Sequence, residues 1–199
     1  MKKTMLAATT LIACWLALML CLPARVALAN DTHPLSVDSV RLATTQETQA
    51  LDEIASSIAS LPQKTLVRRR IAQATFCLPQ NVLGTLFYGL LQLTGCVANT
   101  VELNEVKIIV TTAPIGVSLG RYIFVHTSLQ TENAIRHEYG HVLQGYIHGP
   151  FYLLFEGAIS FTQCALSLLS PSFARDYFER WPENEANELG GVTLNQLRL

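Results

Sequence analysis

A charge excess of either sign is what this 199-residue chain lacks: 14 lysines and arginines face 15 aspartates and glutamates, a formal net charge of −1. With only 15% of its residues charged, it has no means of building the strongly basic surface that nucleic acids select. Cysteine is sparse as well, five in all, and no two stand at the C-x-x-C spacing of a structural zinc site. There is no internal repeat and no low-complexity tract, so solenoids and disordered arrays are set aside.

Acidic residues are missing altogether from the first 29 positions. Lys2 and Lys3 give a basic start, Leu6 to Leu22 is an uncharged apolar run, and Ala27-Leu28-Ala29 is a small-x-small pattern suited to cleavage before Asn30. The pattern predicts a signal peptide over residues 1–29 and an exported product, periplasmic or secreted. An uncleaved anchor is the ordinary alternative, since the run is nearly long enough to span a bilayer. A lipoprotein is discounted, because Leu18-Met19-Leu20 places large residues before Cys21 where small ones are needed. Residues 30–199 then form one domain's length, with 11 basic against 15 acidic residues, a charge of −4. Three cysteines remain. In an oxidising compartment Cys77 and Cys96 are the nearest pair for a disulfide, while Cys164, in an apolar helical run, reads as a buried free thiol.

Residues 30–44 show no period and read as a flexible leader. Thr45 to Ser60 and Leu66 to Thr75 carry helical spacing, the second with the basic run Arg68-Arg69-Arg70, read as a solvated face. Cys77 to Val101 has no charge, and its length admits a membrane span. Interruption by Pro79, Gln80, Asn81, Gln92 and Asn99 favours a buried helix or strand pair, so membrane association is open but not favoured. Val106 to Thr111 and Gly120 to Val125 read as strands separated by a turn at Pro114 and Gly116. Thr131 to His148 reads as a helix stopped by Gly149-Pro150, Phe151 to Leu169 as an apolar core helix, and Pro171 to Leu189 as a last helical region closed by Gly190-Gly191. The expected fold is α+β, one domain with a small sheet ahead of two site-bearing helices.

His137-Glu138-Tyr139-Gly140-His141 lies within the helix from Thr131. Residues i and i+4 share a face, so both imidazoles can be directed at one point, as tetrahedral zinc requires. Glu138, beside the first histidine, is near enough to take a proton from a water at the metal without being a ligand. Two ligands and a general base thus occupy one turn. Two surface histidines on an ordinary helix are the alternative. A third ligand is needed. Glu183 stands on a predicted helix with Asn187 one turn later, where an amide oxygen can accept from a ligand histidine. His148 and Glu156 are the other candidates; a continuous helix carries His148 away from the metal, and Glu156 is a carboxylate in an apolar helix that needs some partner.

On these residues the chain resembles the gluzincin metallopeptidases, whose first helix carries His-Glu-x-x-His and whose later helix carries Glu-x-x-x-Asp. The string from His137 to Gln144, Gly149 to Leu153, and Trp181 to Asn187 is similar to small bacterial proteins of that type. The resemblance covers roughly residues 105 to 191. It implies a zincin-like fold, Zn2+ held by His137, His141 and Glu183, Glu138 as base, and a peptide or protein substrate. Asn187 stands where many relatives have aspartate, which lowers the expected basicity of the histidine it supports. The metzincin pattern fails by one residue, because Gly145 and His148 each fall one place late. Tyr146, His148, Tyr152, Tyr177 and Arg180 are unranked candidates for stabilising an oxyanion. By analogy, the strand Tyr122 to Val125 is expected to flank the cleft and to accept an extended peptide. A zinc-holding protein without catalysis is the rival function. The sequence implies no oligomeric state.

Overall fold

The computed structural model describes residues 49, 51–57, 59–60, 63–103, 106–129 and 131–192. The chain separates into two units, Met1–Leu35 and Ser36–Leu199, and every described residue belongs to the second. The expected signal peptide and leader lie outside the described residues. What is described is α+β, as expected. Residues 51–57 are helical, followed by α1 (Gln63–Ala74), α2 (Leu78–Leu93), β1 (Val97–Leu103), β2 (Val106–Thr111), β3 (Gly116–Leu119), β4 (Tyr122–His126) and α3 (Glu132–His148). Two short turns, Gly149–Phe151 and the π-helical Leu153–Gly157, lead to α4 (Ala158–Leu169), α5 (Pro171–Arg175), a 3-10 turn at Tyr177–Glu179, and α6 (Glu183–Gly190).

The sheet has the order β1-β2-β4-β3, with β2 and β4 parallel and the other pairs antiparallel. The β-branched run of β2 suits a strand buried on both faces, and five of its six residues are buried. Alternation along β4 divides its side chains between the two faces. Ile123 and Val125 join a core with Val106, Ile108 and Val110 under Ile135, Tyr139 and Val142 of α3. Phe124, between them, meets Phe87 of α2 edge to face at 4.9 Å. β3 is a strand that the turn signals at Pro114 and Gly116 concealed. Its presence also corrects the expected peptide-pairing strand: β4 is bonded on both sides, and β3 is the outer strand.

The uncharged stretch from Cys77 to Val101 resolves into α2, only 16 residues long, and β1. That is too short for a span. Among the described residues no single helix is long and apolar enough to cross a membrane; Glu132–Phe151 and Leu153–Leu169 reach that length and composition only together, bent by 110°. Four further expectations are corrected. No residue of α4 is buried, so it is not a core helix, and Cys164 on it is exposed. The last helical region is three pieces rather than one. Cys77 and Cys96 are free thiols, the first donating to the Gly145 carbonyl at 3.3 Å. Of the three arginines, Arg68 and Arg70 are exposed, but Arg69 is half-buried and donates to the Tyr139 hydroxyl at 3.2 Å.

Candidate metal centre

α3 begins where Thr131 accepts a hydrogen bond from the Ala134 N–H at 3.2 Å, an N-cap that fixes the helix phase. From that start His137 and His141 fall one turn apart on the same face. Their rings lie 4.8 Å apart at 83°. α6 crosses this face at backbone contact, made possible by two glycines. A methyl on Gly140 would collide with the Ala186 carbonyl, and one on Gly190 with the Arg136 carbonyl. So close a crossing delivers the first residue of α6 to the histidines.

Glu183 is fully buried, and its Oε2 lies 3.1 Å from His137 Nε2 and 3.4 Å from His141 Nε2. One donor atom from each of the three residues lies within 4.8 Å of the others, a cluster that could hold a metal ion. Four donors placed tetrahedrally about 2.0–2.1 Å from zinc stand roughly 3.3 Å from one another, which the two distances to Glu183 match. The other nitrogens of the rings are already engaged. His137 Nδ1 lies 2.7 Å from Asn187 Oδ1, and His141 Nδ1 lies 2.8 Å from Gln144 Oε1. Both partners are acceptors, so both Nδ1 atoms carry the proton and both Nε2 atoms present lone pairs towards Glu183. The two carboxylate oxygens of Glu183 are buried and, while both rings are neutral, accept no hydrogen bond from either histidine. Three sets of lone pairs facing one another in a buried space repel unless a cation stands among them.

The electrostatics say the same. Burial opposes the charge on Glu183, but hydrogen bonds and charge from His137 and His141 prevail and hold its carboxyl far below the usual range. Burial also works against a charged His141, yet the hydrogen bond and charge of Glu183 outweigh it and raise its pKa from 6.5 to about 9. Without a metal, a proton fills the role at His141 Nε2. Glu138 is buried too. Burial raises its pKa, while His141, His137 and the Ser118 hydroxyl act in the other direction. Ser118, on β3, places its Oγ 2.9 Å from Glu138 Oε2 and 2.7 Å from the Glu138 carbonyl, and its one proton serves either. Glu138 thus stands at the cluster without being one of its donors.

In comparisons with family models, curated proteins and solved structures, nothing matches this chain.

The other candidate ligands do not join the cluster. His148 Nδ1 bonds Glu156 Oε1, so the two alternatives for the third position pair with each other instead. The physical reason is helix rise: seven residues beyond His141, His148 is on the same face but two turns, about 10.5 Å, further along the axis, and Glu156 is carried towards it by the π-helical turn. Among the candidate oxyanion donors, Tyr146 accepts from Gln73 at 2.8 Å, and Arg180 lies over Phe173. Tyr152 and Tyr177 are different. Burial raises both phenol pKa values, and next come the charges of Glu138 on Tyr152 and of Glu183 on Tyr177. Sequence reasoning gave no role to Gln144 or Ser118. Gln144 could have been found, since it follows His141 by three residues on one helix face. Ser118 carries no such signal.

Proposed function

We propose that this chain is a zinc-dependent metallopeptidase of the gluzincin kind, exported and acting on peptide bonds. The observation that carries the reading is the convergence of His137 Nε2, His141 Nε2 and the buried Glu183 carboxylate, with Glu138 alongside. Two neutral imidazoles and one carboxylate form the donor set of catalytic zinc, which keeps a fourth position open. A zinc ion bound there polarises a carbonyl and acidifies water. The remaining chemistry belongs to the protein. Glu138, with its proton affinity raised by burial, takes the proton of the attacking water and delivers it to the amine nitrogen as the C–N bond breaks. Ser118 holds the carboxylate in place. Tyr152 stays protonated at neutral pH and is the donor we assign to the carbonyl oxygen as it gains charge. An extended peptide along the exposed Gly116 end of β3 would run past Glu138.

The test compares wild type with Glu138→Gln on a peptide library, with metal content measured on both. We expect Glu138→Gln to keep its metal and to lose turnover by roughly 10²–10⁴-fold; cleavage at the wild-type rate would remove Glu138 from the mechanism. A second reading, metal binding without catalysis, draws on the amides that support both histidines where a carboxylate would raise ligand basicity. Stoichiometric zinc with no cleavage of any peptide would favour it.

A further inference from the structure

The two histidines are supported unequally. Asn187, behind His137, donates one hydrogen bond of its own, to the Phe178 carbonyl at 3.2 Å. Gln144, behind His141, is fully buried, and every polar atom on its side chain is engaged. Its Oε1 accepts from His141, and its Nε2 donates to the Pro182 carbonyl at 2.8 Å and to Glu185 Oε2 at 2.9 Å. An amide satisfied in this way cannot flip. Reversal would set N–H against N–H at His141 and oxygen against oxygen at Pro182 and Glu185.

Glu185 is in turn held on both sides. Trp181 Nε1 donates to its Oε2 at 3.2 Å, and His148 Nε2 stands 3.7 Å from its Oε1, with the far side of the His148 ring bonded to Glu156. A line of polar contacts therefore runs from the buried Glu156 through His148, Glu185 and Gln144 to His141. Among the described residues no carboxylate stands behind Asn187 in the same way, its amide nitrogen donating to the Phe178 carbonyl instead.

We propose that Gln144 and Glu185 are the positioning residues of the metal centre. Gln144 locks the Nδ1–H tautomer of His141 and so aims Nε2 at the ion. Glu185 locks Gln144 and supplies, one amide removed, the negative charge that direct histidine supports in this chain lack. This rests on the metal reading above. His148 and Glu156, displaced from the ligand set, brace Glu185 from outside.

The experiment measures zinc affinity by competition with a chromophoric chelator, and the visible spectrum of the cobalt(II)-substituted protein, in wild type, Gln144→Leu, Glu185→Gln and Glu188→Gln. Glu188 is exposed on the same helix and serves as control. Loss of such a histidine support weakens metal binding roughly 10–100-fold, the loss expected for Gln144→Leu. Glu185→Gln keeps the shape and an acceptor oxygen, so it folds as wild type does. It should weaken zinc about threefold to tenfold and shift the cobalt bands, because only the relayed charge is gone. Glu188→Gln should match wild type in both. Affinity and spectra in Gln144→Leu or in Glu185→Gln indistinguishable from Glu188→Gln would overturn the pairing while leaving the metal site standing. A wild-type protein that takes up neither metal would instead remove the site itself.

Discussion

At the scale of single residues, the site depends on where lone pairs point. Glu183 is the residue that turns two helical histidines into a cation site, since its buried carboxylate faces both Nε2 atoms. Asn187→Ala takes away the acceptor for His137 Nδ1–H and should weaken zinc roughly 10–100-fold; equilibrium competition with a chelator checks this. His148→Ala should leave one ion bound, because His148 contacts Glu156 and Glu185 rather than the cluster. Residues of this kind were unequally legible in the sequence. His137, Glu138 and His141 were, because the relation among them is local and fixed by one turn of helix. Glu183 and Asn187 were candidates from their spacing on a predicted helix, and the resemblance to gluzincins added to that reading. The contact of Gln144 with His141 is local and legible, but what fixes Gln144 was hidden, since its carbonyl and carboxylate partners lie 38 and 41 residues further along the chain.

At the scale of elements, α3 against α6 is the contact on which the site depends. Gly140 and Gly190 let two backbones touch, and side chains there would push α6 outwards with Glu183 on it. Gly140→Ala should destabilise the fold by about 1–3 kcal/mol through overpacking and should also release the metal. Thermal unfolding and metal content measured on the same sample test both parts. Helices α1 and α3 and strands β2 and β4 were readable from periodicity and β-branched runs. Strand order was not: nothing in the run from Val106 to Val125 states that β4 pairs on both sides and that β3 lies outside, because pairing is settled by contacts distant along the chain. α4 misled for a related reason. Its composition is apolar, but hydrophobicity alone does not say whether a face meets the core.

At the scale of the whole molecule, the site couples folding to pH. In metal-free protein the pKa of His141 is raised from 6.5 to about 9, so its stabilising contribution is complete below about 6.5 and disappears as pH climbs through 9. Glu183 is shifted downwards from 4.5, so its contribution is present above that value and is lost on strong acidification. Zinc competes with the proton at His141, so its stabilising effect runs the opposite way. The rise in Tm on adding zinc should therefore grow between pH 6.5 and 9; a constant or shrinking rise would mean that the proton and the metal do not share a site. The most direct measurement is the metal content of the purified protein, wild type beside Glu183→Ala and His137→Ala. One zinc per chain in wild type, absent from both variants, is the predicted result. A metal-free wild type, or variants that hold zinc as firmly as wild type does, would contradict the account.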